Sequence, residues 1–154
     1  MRAMAHEPLH VQVHPQAAGE LPLAPAALEA LARAVLRAER VDEAELSFAL
    51  VGDAEIERLN REFLGHDGPT DILSFPLQLP GQPPLGDVYI GVEQARRQAE
   101  ALGVGWAEEL QRLVVHGTLH VLGYTHPEGE GREASEMYRR QEQLLAEWLR
   151  RGAT

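Results

Sequence analysis

Two residue types, cysteine and lysine, are absent from this 154-residue sequence. Without cysteine the chain can form neither a disulfide bond nor a thiolate metal site, so histidine becomes the main candidate ligand for a transition metal. The absence of cysteine also fits a reducing compartment. All 14 basic side chains are therefore arginine.

Long apolar runs are missing too, since no stretch approaches the roughly 20 residues that a helix needs to cross a bilayer. The N-terminal segment lacks the basic and then apolar pattern of a secretory signal peptide, and prolines interrupt it at positions 8, 15, 22 and 25. We therefore expect a cytoplasmic protein that does not associate with membranes.

Acidic side chains outnumber basic ones by 24 to 14, which gives a formal net charge of −10. This excess argues against indiscriminate binding of nucleic acid, which depends on neutralising phosphates, but it does not exclude a local basic groove. The 44% hydrophobic and 25% charged content is ordinary for a soluble globular protein. The length fits one domain, residues 1–154, with its own hydrophobic core.

Hydrophobic periodicity predicts four strands and five helices. Strands are expected near residues 9–13, 46–50, 70–75 and 87–90. Helices are expected after Pro25, from an N-cap at Asp53 to Phe63, over 93–102, from about Trp106, and at the C-terminal end. This order predicts an α+β fold, in which a small mixed sheet is covered by helices and a metal site lies at the end of a central helix.

The metal prediction comes from residues 116–126, HGTLHVLGYTH, which contain three histidines. His116 and His120 are four residues apart on a predicted helix, so they share one face and lie about 6 Å apart along its axis. Gly123 can adopt the left-handed conformation that ends a helix, and the turn would bring His126 round as a third ligand. Three imidazoles without a fourth protein ligand leave a position for water, as in catalytic zinc sites. We predict one zinc ion per chain, with other divalent transition metals as alternatives.

The same histidine spacing occurs in metzincin peptidases, H-E-x-x-H-x-x-G-x-x-H. In those enzymes the glutamate after the first histidine is the general base. Here that position is Gly117, which cannot accept a proton. A metal-dependent peptidase or hydrolase therefore remains an alternative only if a carboxylate elsewhere in the chain supplies the base.

Two further segments accompany the histidine run. The first is Leu59-Asn60 followed by PTDILSFP at residues 69–76, and the second is GDVYI at residues 86–90. Together with the H-G-x-L-H-x-x-G-[YH]-x-H pattern, these segments resemble in order the signatures of the YbeY-type endoribonucleases, which are bacterial rRNA maturation factors. The resemblance runs from about Asp53 to the C-terminal helix.

This resemblance implies a zinc-dependent, single-strand-specific endoribonuclease that acts in ribosome biogenesis and matures the 3′ end of small-subunit rRNA. Its three histidines would act through the bound metal. The implied partners are single-stranded or ribosomal RNA, the small ribosomal subunit, a small-subunit ribosomal protein and an Era-type GTPase. In the two other signatures, Asp71, Ser74 and Asp87 either line the cleft or orient a histidine, with turn chemistry and strand capping as the structural alternatives.

One position departs from the family pattern. Members usually carry an arginine between Leu-Asn and Pro-Thr-Asp that is thought to serve RNA cleavage, and by its spacing to Pro69 this position is Leu64 here. Arg61, nearly one helical turn earlier, is the candidate to replace that arginine. The loss also favours an alternative function, a ribosome assembly factor in which zinc is mainly structural and cleavage is weak or absent.

Overall fold

The computed structural model describes residues 8–17, 19–125 and 135–152. Within these ranges the chain forms four strands and five helices, in the predicted order. Their bounds are β1 Leu9–Pro15, α1 Pro25–Ala38, β2 Ala44–Val51, α2 Asp53–Leu64, β3 Ile72–Pro76, β4 Leu85–Gly91, α3 Val92–Leu102, α4 Trp106–Val121 and α5 Glu136–Gly152. None of the helices in the described ranges combines the length and apolar character needed to span a bilayer.

The four strands form one mixed sheet in the order β1-β2-β4-β3. Strand β2 pairs in parallel with both β1 and β4, whereas β3 pairs antiparallel with β4 at the edge. Val88 of β4 lies opposite Phe48 on one side and Ser74 on the other. The predicted α+β class with a small mixed sheet is confirmed.

Alternating strand residues separate two cores on the two faces of the sheet. The larger core joins one face to helices α1, α3, α4 and α5, and its strand residues include Leu46, Phe48, Leu50, Val88 and Ile90. The smaller core lies on the other face beneath α2 and contains Ala49, Val51, Ile56, Leu59 and Leu73. Helices α2 and α4 therefore cover opposite faces of the sheet.

Helix α4 lies at the centre of the larger core, where it contacts α1, α3, α5, β3 and β4. Ten of its 16 residues are buried. A Cβ atom at Gly117 would lie 2.8 Å from Val88 Cγ1 and 3.2 Å from Ile72 Cδ1. The missing side chain thus lets the helix backbone approach the sheet. A glutamate at this position would point into the sheet, so it could not serve as a general base beside the histidines.

The N-cap predicted at Asp53 is wrong by one residue, because Gly52 is the N-cap and Asp53 opens α2. The backbone N–H of Asp53 donates to Oε1 of Glu93 at 2.7 Å, so a carboxylate from α3 satisfies one N–H of the first turn. The carboxylate of Asp53 instead accepts two hydrogen bonds from Arg97. These partners are about 40 residues away in the sequence, so local capping rules could not identify them.

We expect Gly117→Ala to lower the free energy of unfolding by about 1–3 kcal/mol, because the added methyl group would overpack against Val88. Alanine's higher helix propensity would offset part of this loss. Gly152→Ala, at the end of α5, is the matched control. Apart from its chain neighbours and the backbone of its own helix, no heavy atom of the described residues lies within 4 Å of a Cβ atom built at Gly152. Urea unfolding measures both variants. Equal stability of Gly117→Ala and the wild type would contradict the close approach.

Candidate functional site

His116 and His120 lie on one face of α4, in the last two turns of the helix. Their ring centroids are 5.1 Å apart and the ring planes are inclined by 71°. His116 is 7% exposed, and His120 is half-buried. The structure thus brings two of the three predicted ligands together, at a separation from which each ring can direct one nitrogen to a common ion.

The orientation of His116 is fixed from α5. Its Nδ1 atom lies 2.7 Å from Oε1 of Gln141, and both side chains are buried. The Gln141 amide is itself oriented, because its Nε2 group donates to Oε2 of Glu142 at 3.0 Å. Since Gln141 presents an oxygen, Nδ1 of His116 must carry the proton, and the lone pair of the ring is then on Nε2. This is the tautomer in which histidines commonly bind metal through Nε2.

Arg112, one helical turn before His116, anchors this arrangement. Its side chain is 18% exposed and forms ion pairs at 2.8–2.9 Å with three carboxylates, those of Glu108, Glu109 and Glu142. Burial alone would lower the pKa of Arg112, but the hydrogen bonds to these carboxylates raise it above its ordinary value. Arg112 therefore stays charged and fixes Glu142, which in turn orients the amide of Gln141.

Asp71, in the turn before β3, connects α3 to the same region. Its Oδ2 atom accepts a hydrogen bond from Nε2 of Gln98 at 3.2 Å, and the same amide donates to Oε2 of Glu109 at 3.1 Å. Burial raises the pKa of Glu109 above its usual value, although hydrogen bonding to Arg112 opposes the shift. Asp71 and His116 both line a cavity between α3, α4 and α5.

Ser74 and Asp87 lie on different faces of the sheet. Ser74 lies two residues after Ile72 on β3, so both side chains are on the face that packs against α4. Its Oγ is the one side-chain polar atom of the described residues that is buried without a hydrogen-bond partner. Buried hydroxyls normally have such a partner, which in many proteins is water or an ion. Asp87 alternates with Val88 and therefore lies on the face that α2 covers.

Arg61 lies on α2, and thus on a helix that covers the face opposite α4. Its Nη2 atom is 3.7 Å from Oε1 of Glu57, and its side chain is 56% exposed. Leu64, at the usual arginine position, ends α2 and is 49% exposed. The C-terminal turn of α2 does approach the edge of the sheet, because the rings of Phe63 and Phe75 are 5.7 Å apart.

His126, the third predicted ligand, lies outside the described residues. The chain leaves α4 through Gly123, whose φ of 105° is positive, as the predicted turn requires. Beyond it, the hydroxyl of Tyr124 donates to Oε1 of Glu39 at 2.6 Å, and Arg140 holds the other carboxylate oxygen at 2.7 Å. The hydrogen bond to Glu39, together with burial, raises the pKa of Tyr124. The segment that leads to His126 is therefore anchored to α1 and α5.

The donor set of the described residues fits an ion that prefers imidazole nitrogen. The two rings share one helix face, and Gln141 fixes the tautomer of one of them. Within residues 8–17, 19–125 and 135–152, no three His, Cys, Asp or Glu side chains are placed to hold a metal ion. A calcium ion, which takes six to eight oxygen ligands, thus has no carboxylate cluster there. The imidazole pair is compatible with zinc, which histidine nitrogens commonly bind.

The sequence matches a family model described as Endoribonuclease YbeY over residues 17–149. Proteins named Endoribonuclease YbeY are 40% identical in Persephonella marina (72% of this chain, 74% of the relative), 43% identical in Desulfitobacterium hafniense (77% and 81%) and 47% identical in Moorella thermoacetica (68% and 72%). This chain belongs to the YbeY family. The family resemblance inferred from the three sequence signatures is confirmed.

A solved structure shares the fold over most of the chain. A solution structure of a protein from Thermotoga maritima matches with a TM-score of 0.61 and 26% sequence identity. The match covers 90% of this chain and 93% of the other. The sheet and helices that position the histidine pair are therefore shared with an experimentally determined structure.

Sequence reasoning missed Gln141, Glu142 and Arg112 in this YbeY-family chain. A signal for Gln141 was present, because it lies at helical spacing between the buried residues Met137 and Leu144. A glutamine inside an apolar helix face needs a polar partner. The sequence could not identify that partner, which is 25 residues away on α4.

We expect His116 to be an Nδ1–H tautomer in the metal-free protein at neutral pH. Gln141→Leu removes the acceptor, which should shift the tautomer ratio toward Nε2–H by about fivefold if this hydrogen bond is worth about 1 kcal/mol. Long-range ¹H–¹⁵N correlation spectra measure the ratio. Gln143→Leu, at an exposed position on the same helix, is the control and should leave the ratio unchanged. An unchanged ratio in Gln141→Leu would contradict the assigned hydrogen bond.

Proposed function

We propose that this protein is a zinc-dependent endoribonuclease that cuts single-stranded RNA, acts in ribosome biogenesis and matures the 3′ end of small-subunit rRNA. The observation that carries the proposal is the histidine pair on α4, with Nδ1 of His116 bonded to buried Gln141, in a chain of the YbeY family. The relatives described above are named as endoribonucleases, which supports RNA as the substrate.

His116 and His120 would hold the zinc ion together with His126. When bound, zinc would supply a Lewis acid for the phosphate and would lower the pKa of water at its open position to about 7. The protein's own contribution is orientation, because Gln141 keeps the His116 ring turned with its Nε2 lone pair toward the site. Burial of His116 also excludes bulk water from one side of the site.

Single-stranded RNA suits this site because a flexible strand can bend its backbone into a cleft that a duplex cannot enter. Asp71 and Ser74 belong to the same side of the sheet as α4, which supports a role for both in the cleft. Asp87 lies on the other face of the sheet, opposite Phe75, so it is not placed beside the histidine pair. The net charge of −10 opposes long-range attraction of RNA, so binding must rely on local contacts.

The wider proposals rest on the family resemblance. The partners are the small ribosomal subunit, one of its proteins and an Era-type GTPase, and the location is the cytoplasm. We propose residues 1–154 as a single metal-dependent endoribonuclease domain, which agrees with a family match over residues 17–149.

Protein purified without a histidine tag should contain close to one zinc ion per chain by elemental analysis. His120→Ala should weaken zinc binding at least tenfold, because it removes one of three predicted ligands. His66→Ala is the matched control, since His66 is an exposed histidine in the turn after α2. A wild-type protein that holds almost no metal and gains none when zinc is added would contradict the metal site.

The zinc-loaded protein should cleave single-stranded RNA and leave duplex RNA and a peptide library intact. His120→Ala should lower the cleavage rate by about 100-fold or more, while His66→Ala retains it. Equal cleavage by wild type and His120→Ala would identify a contaminating nuclease instead. Cleavage of peptides but not RNA would support the hydrolase alternative.

A second candidate function is a ribosome assembly factor with structural zinc and little cleavage. Leu64 favours it, because an exposed leucine occupies the usual arginine position and Arg61 is paired with Glu57. For the endoribonuclease we propose that Arg61 replaces the missing arginine, reaching the RNA from the turn of α2 that lies next to β3.

Arg61→Ala should then lower kcat about tenfold or more without changing the zinc content, because a guanidinium would stabilise charge that develops on the phosphate. Arg58→Ala, an exposed arginine on the same helix with its own carboxylate partners, is the control. Unchanged cleavage in Arg61→Ala would reject the replacement. Ribosome co-sedimentation and restored growth with a cleavage-dead variant would favour the assembly factor.

A further inference from the structure

A cavity of about 470 Å³ extends from His116 toward the N-terminal half of α4. Its walls come from α3, from α5 and from the turn before β3. The volume is in the range of small-molecule binding sites. Glu109, at the far end, lies seven residues before His116, which is about 10 Å along the helix axis. One nucleoside can span this distance when its phosphate lies at the histidine pair.

One part of the cavity is apolar and partly open. Leu102, at the rim, is 65% exposed although it is a large hydrophobic residue. Val104, Leu113 and Met137 continue the apolar lining, and the ring of Tyr138 adds an aromatic surface. Apolar and aromatic side chains of this kind cover the flat faces of nucleic-acid bases.

The polar part of the lining includes two carboxylates, those of Asp71 and Glu109, which accept hydrogen bonds. Asp71 and Glu109 are held near each other by the amide of Gln98, which donates to both. The positive charge of Arg112 is already shared among three carboxylates. The lining is therefore net negative, so it would repel a phosphate group and would favour an uncharged group that donates hydrogen bonds.

We propose that this cavity is a base-binding subsite that takes guanine from a nucleotide next to the scissile phosphate. Guanine presents an imino N1–H and a 2-amino group side by side, and these two donors match the two oxygens of the Asp71 carboxylate. Each oxygen already accepts one hydrogen bond, from Thr70 or Gln98, and keeps a second lone pair for the base. Adenine and cytosine present one amino group beside an acceptor, and uracil presents one imino group between two acceptors. The proposal rests on the proposed endoribonuclease function, because that function places the phosphate at the histidines.

Matched oligoribonucleotides test the base preference. An RNA of uridines with a single guanosine is compared with the same RNA carrying inosine, which lacks the 2-amino group, or adenosine. We expect kcat/KM to fall about tenfold from guanosine to inosine and further for adenosine. Asp71→Asn should reduce the guanosine-to-inosine ratio several-fold. Asp67→Asn, at an exposed aspartate outside the cavity, should leave the ratio unchanged.

A variant that fills the cavity tests base binding while leaving the histidines of the cleavage site unchanged. Leu102→Trp would occupy the rim, and the exposure of Leu102 makes loss of folding an unexpected result. This variant should lose the guanosine preference and still cleave RNA made only of uridine. Leu79→Trp is the matched control, because Leu79 is 62% exposed and does not line the cavity.

Direct binding distinguishes failure of this proposal from failure of the proposed function. Saturation-transfer NMR with guanosine and inosine should show guanosine binding that Leu102→Trp abolishes and Leu79→Trp retains. Equal cleavage of all three RNAs by the wild type would overturn the base subsite and leave the endoribonuclease intact. Guanosine binding without any RNA cleavage would retain the subsite and reject the endoribonuclease. Absence of both guanosine binding and guanosine preference in the wild-type protein would also overturn the subsite.

Discussion

The packing of helix α4 directly onto strands β3 and β4 sets the position of the groups in the candidate site. Gly117 makes this possible, because its missing side chain lets the helix backbone approach Val88 and Ile72. His116 and His120 lie on either side of Gly117 in the sequence, so the distance between α4 and the sheet also fixes how far the two histidines lie from the sheet. Helix α5 then packs on α4 and supplies Gln141, which fixes the ring of His116. A small shift of α4 would change the metal geometry and the cavity beside it together.

Much of this architecture could be predicted from local patterns. Hydrophobic periodicity predicted every strand and helix of the described residues, and the i, i+4 spacing of His116 and His120 predicted their shared face. Features that depend on distant partners could not be predicted. The pairing of β2 with β4 joins strands about 40 residues apart, and it determines which helices share a face of the sheet. For the same reason, the sequence could not tell that α2, with Arg61, covers the face opposite the histidines.

The charges around the site explain how an acidic chain can act on an anionic polymer. Carboxylates outnumber arginines next to the histidines, and Glu142, which pairs with Arg112, serves to orient Gln141. The positive charge needed at the phosphate would come mainly from the metal ion. The acceptor-rich cavity would then keep phosphate at the histidines and receive a base. The same packing explains why residue 117 is glycine, since the glutamate found there in metzincin peptidases would disrupt the packing of α4 on the sheet.

RNA cleavage would depend, in our proposal, on one zinc ion held by the histidines of α4 and by the segment after it. The most direct test is to measure the cleavage rate of single-stranded RNA while zinc is titrated into metal-free protein. We predict that the rate rises in proportion to zinc occupancy and reaches its maximum at one zinc per chain. A rate that does not change between empty and fully loaded protein would contradict the claim.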